Sequence, residues 1–335
     1  MKILVTGGAG FIGSHTVVAL VEAGFEPVII DDFSNSERRT LSGIEAVVGK
    51  SVKCYTEDCN NLETLQNIFK EEQIKGVIHF AAFKAVGESV QNPLKYYENN
   101  IGSFVTLLKA MITEGVENVI FSSSATVYGL SQELPATEKT PIQAAMSPYG
   151  NTKQIGEEIL SDVVASGAPM KGISLRYFNP IGAHPTALIG ELPLGVPNNL
   201  VPFITQTGAG IRAKLTVYGD DYDTPDGTCL RDYIHVCDLA DAHVIALKHL
   251  FNIEKTNFYD VFNVGTGNPN SVLEVIKTFE AISGKPLNYQ LGARREGDVP
   301  SLYADVSKIK NELGWIAKRT MQQALKDAWR WQVSL

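Results

Sequence analysis

The chain has no block of lysine and arginine. Its 335 residues hold 29 basic against 37 acidic side chains, a net charge of −8, and a pI near 5.4. This balance excludes a nucleic-acid partner, which needs a basic patch or stripe. No apolar run approaches the ~18 residues of a membrane-spanning helix, so no membrane partner is expected. Cysteine is scarce. Cys54, Cys59, Cys229 and Cys237 form no Cys-x-x-Cys spacing and no histidine pair completes a ligand set, so no metal site is expected. Free thiols suit a reducing compartment. The first strand signal starts at Lys2, so no signal peptide is expected before it, and the expected location is cytoplasmic. Repeats and low-complexity tracts are also missing. With 44% hydrophobic and 20% charged residues, the composition is that of a soluble globular protein.

What is present begins with a nucleotide signature. Lys2 to Thr6 is a short β-branched apolar run that reads as a buried strand. Gly7-Gly8-Ala9-Gly10-Phe11-Ile12-Gly13 follows at once, and Ser14 to Ala23 then shows helical periodicity closed by Gly24. Strand, glycine turn and helix are the context of a phosphate-binding loop, in which the backbone approaches a pyrophosphate at a helix N-terminus. Pro27 to Asp31 reads as the second strand, with Asp31 at its C-terminal end. A carboxylate there accepts from ribose hydroxyls and repels a 2′-phosphate, and Asp32 adds a second negative charge, which favours NAD over NADP. Arg38 and Arg39 leave a 2′-phosphate open as an alternative.

Further strands are expected at Val52–Tyr55, Gly76–Phe80, Glu117–Ser122, Gly172–Tyr177 and Val261–Val264. Helices are expected at Leu62–Glu72, Pro93–Gly115 and Pro148–Gly167. Such alternation predicts an α/β fold, a Rossmann-type doubly wound parallel sheet with ligands at the C-terminal strand ends. After Phe178 the texture turns to Pro, Gly and Asn, which predicts a crossing into a smaller mixed α/β substrate-binding domain. The expected division is 1–179 plus about 233–265 for the NAD-binding domain, and about 180–232 plus 266–335 for the other. Three helices are expected within Ser271–Leu335. In Ser147-Pro148-Tyr149-Gly150-Asn151-Thr152-Lys153, Tyr149 and Lys153 stand one helical turn apart on one face. An ammonium beside the phenol is expected to lower its pKa from ~10 and make it a base near neutral pH.

Several ordered motifs carry a resemblance: Thr6 to Gly13, His79 to Val86, Ser122 to Gly129, Tyr149-x-x-x-Lys153, Arg176-Tyr177-Phe178-Asn179-Pro180, Pro197 to Leu200, Arg231 to Val236, and Arg294-Arg295-Glu296-Gly297-Asp298. On these, over nearly its whole length, the chain resembles the extended short-chain dehydrogenase/reductase family, and within it the UDP-glucose 4-epimerases. The resemblance implies reversible 4-epimerisation of a UDP-hexose through a transient 4-keto sugar, with NAD bound throughout. It implies Tyr149 as the base at the 4-hydroxyl, Ser124 as its hydrogen-bonding partner, and Lys153 on the nicotinamide ribose. Cofactor contacts are implied for Gly7, Gly10, Phe11, Ile12, Gly13, Asp31, Asp32, Asn35, Asp58, Cys59, Phe80, Ala81, Ala82, Lys84, Asn99, Ser122, Tyr177 and Phe178, besides Tyr149 and Lys153. For the UDP-sugar they are implied for Ser124, Ala125, Thr126, Tyr149, Asn179, Asn199, Leu200, Thr216, Tyr218, Arg231, Tyr233, Val272, Arg295, Asp298 and Leu302. The two arginines would grip the diphosphate. His79 and His235 fit core positions better than catalysis.

Leu302 departs from relatives that carry Tyr there, and the smaller side chain predicts room for an N-acetyl group at C2. Ala125 and Thr126 replace the Asp-Glu of sugar-nucleotide dehydratases, which argues against that reaction. A UDP-glucuronate or UDP-pentose 4-epimerase stays open, and a non-catalytic NAD-sensing protein is the reading from another class. Apolar residues on the helices around Pro93–Gly115 and Pro148–Gly167, among them Phe104, Leu107, Leu108, Met111, Ile155, Ile159 and Leu160, predict a homodimer paired across a two-fold axis.

Overall fold

The computed structural model describes residues 1–131, 133–295 and 298–335. In chain order, strand β1 (Lys2–Thr6) leads to helix α1 (Phe11–Glu22), β2 (Glu26–Ile30), α2 (Arg39–Val48), β3 (Lys53–Tyr55), α3 (Leu62–Glu72) and β4 (Gly76–His79). Short helices α4 (Val86–Gln91) and α5 (Pro93–Tyr96) precede α6 (Gly102–Glu114), β5 (Asn118–Ser124), α7 (Pro148–Ala165) and β6 (Lys171–Tyr177). Then come β7 (Asn179–Ile181), α8 (Leu200–Gly208), β8 (Leu215–Tyr218), β9 (Leu230–His235), α9 (Val236–Asn252) and β10 (Phe258–Val264). The chain ends through β11 (Pro269–Ser271), α10 (Val272–Ser283), β12 (Tyr289–Gly292), β13 (Ser301–Leu302), α11 (Ser307–Leu313) and α12 (Met321–Ser334).

Seven strands form one sheet in the order β3-β2-β1-β4-β5-β6-β10, every pair parallel. Such a sheet must be covered on both faces, and two apolar clusters do so. One centres on Val17, Leu20, Ile29 and Leu247, the other on Leu65, Phe69, Phe104 and Leu160. The order reverses beside β1, which opens a crevice at the C-terminal ends of β1 and β4. A third cluster, with Ile204, Val217, Phe279 and Leu325, is built by α8, β8, α10 and α12. Small sheets, β11-β9-β13 with β7 on β9, and β12-β8, lie in this part of the chain. Among the described residues no helix is long and apolar enough to cross a membrane.

Two expectations change. The helix read across Pro93–Gly115 is interrupted by a π-helical turn at Tyr97–Ile101, a feature that re-aims side chains. Phe104, Leu107, Leu108, Met111 and Leu160, read as a pairing face, are buried within one chain. Covering the sheet already accounts for their apolarity; Ile155 and Ile159 stay partly exposed.

Candidate active site

The first turn of α7 is set by its sequence. Ser147 caps the helix, its Oγ accepting from the Gly150 N–H at 3.1 Å, and Pro148 takes the first helical position. Tyr149 thus stands in the first turn and Lys153 one turn on. Facing them, β5 ends at Ser124, whose Oγ accepts from the Thr126 N–H at 3.2 Å and starts a 3-10 turn over Ala125–Tyr128. The register sets Ser124 opposite Tyr177 of β6.

Lys153 is buried. Its Nζ donates to the Ser122 carbonyl at 2.6 Å and to Ser122 Oγ at 3.2 Å. Burial pushes its pKa down to about 7, against the pull of the Glu157 carboxylate one turn further along. The phenol of Tyr149 is shifted upward by desolvation, with the Ser124 hydroxyl working the other way. The expected lowering of the phenol is therefore corrected. The Lys153 ammonium is turned onto Ser122 and stands 6.0 Å from the Tyr149 ring centre, so desolvation prevails over the cation. Burial also raises Tyr177, whose phenol neighbours Ser122 and Tyr149. Thr126 Oγ1 is a buried oxygen with no hydrogen-bond partner among the described residues.

At the nucleotide end two positions of the loop, Gly7 and Gly13, have no room for a Cβ. Gly7 has φ +68°, and a Cβ there would lie 2.9 Å from the Ala81 nitrogen; at Gly13 it would lie 2.2 Å from the Gly7 carbonyl. Helix α1 starts after Gly10 with no side-chain cap and no acidic residue in its first turn, so the turn of Phe11, Ile12 and Gly13 suits an anion. The Asp31 carboxylate accepts from the Ala9 N–H at 2.9 Å, the Phe33 N–H at 3.0 Å and Ser36 Oγ at 2.8 Å. It braces the loop as well as ending β2 with negative charge. Asp32 and Asn35 are exposed on the same turn. Arg38 lies 4.5 Å from the Phe33 ring centre, on the turn after Asp31, and Arg39 lies 5.3 Å from that of Trp331.

The exposed Asp58 accepts from the Asn60 backbone and side chain. Cys59 beside it is buried, its thiol pushed up to about 12 by burial and by Asp58. Phe80 and Tyr177 lie against the His243 ring, and the Ala81 N–H donates to Thr6 Oγ1 at 3.3 Å. Ala82 is partly exposed. The Asn99 amide donates at 2.9 Å to Asn100. Asn100, which the sequence reading passed over, is buried. It exchanges hydrogen bonds with Phe83 at 2.9 and 3.0 Å and donates to Thr152 at 3.2 Å, pinning the loop after β4 to α7.

The residues assigned to the sugar nucleotide gather from far apart in sequence. Asn179 is the first residue of β7, beside the buried Phe178 assigned to the cofactor, and Asn199 and Leu200 open α8. Thr216 and the exposed Tyr218 lie on β8, with the Arg295 guanidinium 6.0 Å from the Tyr218 ring centre. Arg231 of β9 lies 3.5 Å from Asp298, and Arg295 donates to the same carboxylate at 2.8 and 3.1 Å. The two arginines thus converge on Asp298. Tyr233 is buried on β9, and the Val272 N–H donates to the Cys229 carbonyl at 3.2 Å. Leu302 pairs with Arg231 in register and packs against the cluster of Ala125, Val127, Tyr128 and Phe178, beside the end of β5. In the motif at Arg294–Asp298, Glu296 and Gly297 lie outside the described residues.

His79 takes a core position, its pKa pushed down to about 3 by burial and its ring stacked near Phe104 and Phe121. His235 caps α9 by accepting from the Cys237 N–H at 3.0 Å. Sequence reasoning also missed Glu157 and Glu191. Glu157 carries a signal, standing four residues after Lys153; Glu191 carries none.

A glycine loop at the strand-order reversal of a parallel sheet, with Tyr149, Lys153 and Ser124 at the ends of neighbouring elements, defines a dinucleotide-binding protein of the extended short-chain dehydrogenase/reductase class. The family model described as GDP-mannose 4,6 dehydratase matches residues 4–328. UDP-glucose 4-epimerase of Bacillus subtilis (strain 168) is 48% identical over 334 residues, 100% of this chain and 97% of that protein. The structure of UDP-glucose-4-epimerase from Stenotrophomonas maltophila, with bound NAD and formylated UDP-arabinopyranose, has a TM-score of 0.97 at 43% identity, covering 100% of this chain and 98% of that one. That of UDP-glucose 4-epimerase from Bifidobacterium longum, in complex with NAD+ and UDP, has a TM-score of 0.95 at 46% identity with the same coverage. The chain belongs to the UDP-glucose 4-epimerase family.

Proposed function

We propose that the chain is an NAD-dependent UDP-hexose 4-epimerase that interconverts UDP-glucose and UDP-galactose. The observation that carries this is the convergence of Tyr149, Ser124, Lys153 and Ser122 at the end of β5, beside the glycine loop. NAD, when bound, would accept the hydrogen of C4 with its electron pair and later return it. The loop of Gly7, Gly10 and Gly13 would hold the pyrophosphate, with Asp31 at the adenosine ribose and Lys153 at the other ribose. Asp32, Asn35, Asp58, Cys59, Lys84 and Asn99 would complete the cradle.

Tyr149 takes the proton of the 4-hydroxyl and gives it back to the same oxygen after the keto sugar has turned over, so that the hydrogen returned to C4 arrives on the opposite face. Ser124 bonds the same oxygen and holds it against the phenol. In the protein alone the raised pKa of Tyr149 keeps the phenol protonated at neutral pH, so further positive charge must gather beside it before it acts as a base. Arg231 and Arg295 would move from Asp298 onto the diphosphate, whose oxygens suit their planar forks, leaving Asp298 for the uridine ribose. Thr216 and Tyr218 would flank uracil, and Asn179, Asn199 and Leu200 would line the sugar. Thr126 Oγ1 offers an unpaired polar atom at the same end of the cleft. Leu302, packed against the cluster that holds Ala125, is smaller than a tyrosine, and on that ground we extend the reading to UDP-N-acetylglucosamine and UDP-N-acetylgalactosamine.

The division at 1–179 plus about 233–265, against about 180–232 plus 266–335, is the domain assignment we adopt; the apolar cluster of α8, β8, α10 and α12 supports it, although Ile309 and Trp315 of the last segment pack in the cluster on the large sheet. Pairing into a homodimer through α7, where Ile155 and Ile159 stay partly exposed, and a cytoplasmic location complete the reading. The test is incubation with UDP-galactose, UDP-N-acetylgalactosamine and UDP-glucuronate separately, with the product sugars identified. Absence of UDP-glucose from the first overturns the function. Full activity in Tyr149→Phe overturns the assigned base.

A further inference from the structure

The segment between β7 and α8 places one acidic side chain at a crossing point. Its backbone is fixed from behind. The Glu191 carbonyl accepts from Trp331 Nε1 at 2.9 Å, and Gly190 passes so near that ring that an added Cβ would lie 2.4 Å from it. The Glu191 side chain is 12% exposed. One of its oxygens, Oε1, accepts from Asn199 Nδ2 at 2.6 Å and from Lys84 Nζ at 3.2 Å. Lys84 comes from the loop after β4, which also touches the glycine turn through Ala81. Asn199 occupies the N-cap of α8 yet makes no side-chain cap bond. An asparagine there ordinarily accepts from its own helix; here its amide is turned to Glu191 instead.

We propose that Glu191 is a positioning residue that couples dinucleotide binding to sugar-nucleotide binding by tethering Lys84 to Asn199. The proposal rests on the functional reading above, in which Lys84 faces the cofactor and Asn199 the sugar nucleotide. A solvated ion pair alone contributes little. This one is anchored through Trp331 and shared by two donors, and a ligand covering it excludes water and strengthens it. Ordering Lys84 on one ligand fixes the Glu191 carboxylate and so presets Asn199 for the other. By linkage the effect runs equally in the reverse direction.

The test uses the full chain loaded with NAD. The rate of NAD release is followed with and without saturating UDP, and KM and kcat are measured with UDP-galactose. In the unaltered protein UDP slows NAD release. In Glu191→Ala that ratio falls close to one and KM rises about tenfold, the effect of losing a charge-assisted hydrogen bond, while kcat changes by less than about threefold. Glu191→Gln, which keeps the side chain's size and an acceptor for Asn199, loses part of the ratio at an unchanged denaturation midpoint, which a purely structural role would not produce. Lys84→Ala combined with Glu191→Ala loses no more coupling than Lys84→Ala alone. A release rate insensitive to UDP in the unaltered protein overturns the proposal, as does an unchanged ratio in both Glu191 variants. If UDP-galactose is not turned over at all, the functional reading fails; the release ratio with UDP still decides the tether.

Discussion

Replacing Glu157 with leucine removes the carboxylate at the centre of a buried network. Glu157 receives Arg176 in a forked pair, Nε to Oε1 at 2.8 Å and Nη2 to Oε2 at 2.6 Å, and Ser123 Oγ at 2.5 Å. Both charged side chains are almost wholly buried, at 5% and 6% exposure. The network continues from Arg176 Nη1 to the Tyr128 hydroxyl at 3.2 Å, and from that hydroxyl to Asn263 at 2.6 Å. It therefore ties α7, which carries Tyr149 and Lys153, to β5, β6 and β10. Removing one partner of a buried pair costs about 3–5 kcal/mol, because the other charge is left uncompensated. The orphaned Ser123 hydroxyl adds about 1 kcal/mol. A loss of about 4–6 kcal/mol is a large share of a stability of about 5–15 kcal/mol. Glu157→Leu with Arg176→Met replaces both ions by apolar groups and should recover most of the loss, since such exchanges are often neutral. Urea unfolding followed by tryptophan fluorescence measures both variants. A single variant that loses under about 1 kcal/mol, or a double variant as unstable as the single one, refutes the reasoning.

Tyr149→Phe should lower kcat by at least about a hundredfold, the usual scale for a general base, while NAD still co-purifies, as absorbance of the denatured extract would show. Gly13→Ala should abolish NAD retention, because its Cβ would stand 2.2 Å from the Gly7 carbonyl; equilibrium dialysis against NAD checks it. Leu302→Tyr should suppress turnover of UDP-N-acetylgalactosamine while sparing UDP-galactose, measured as the ratio of kcat/KM. Burial holds His15 and His79 at about 3 and His243 at about 4, whereas unfolded histidine titrates near ~6.5. Between those values the unfolded chain binds more protons. Their contribution is thus fully present above pH ~6.5 and is lost as pH falls towards their folded values. His79→Phe should make urea stability depend less on pH between 7 and 5.

The first half of the fold was legible because buried parallel strands read as continuous β-branched runs; β1 and α3 fall where periodicity places them. Helix α2 was missed. It opens with Arg39-Thr40 and holds Gly43, where an added Cβ would lie 2.3 Å from the Leu188 carbonyl, so that glycine serves a close approach rather than a turn. The π-helical turn at Tyr97–Ile101 left no mark on the apolar pattern. Strands β7, β11 and β13 have two or three residues each, too few to show alternation. In the site, Tyr149 and Lys153 were legible because their spacing is local and the cap before them is written in Ser147 and Pro148. Asn100 and Glu191 were not, because a polar residue buried by distant partners looks in sequence like any solvated one; Glu157 shows only its helical spacing from Lys153, not its partner Arg176.

The same distinction explains why the charge state of the pair was misread. Helical spacing guarantees that Tyr149 and Lys153 share a face, but not that the ammonium addresses the phenol. Three-dimensional packing adds Ser122, which takes the ammonium at 2.6 Å, and removes water from both groups. Desolvation then acts on the two in opposite senses, raising the acid and lowering the base. The pair is left with a protonated phenol and an amine whose pKa lies at about 7. A site so arranged is held away from deprotonation until added positive charge shifts Tyr149. If the phenol of the ligand-free protein instead titrated well below ~10, as ultraviolet difference absorbance between the unaltered chain and Tyr149→Phe would reveal, the cation rather than burial would govern the site.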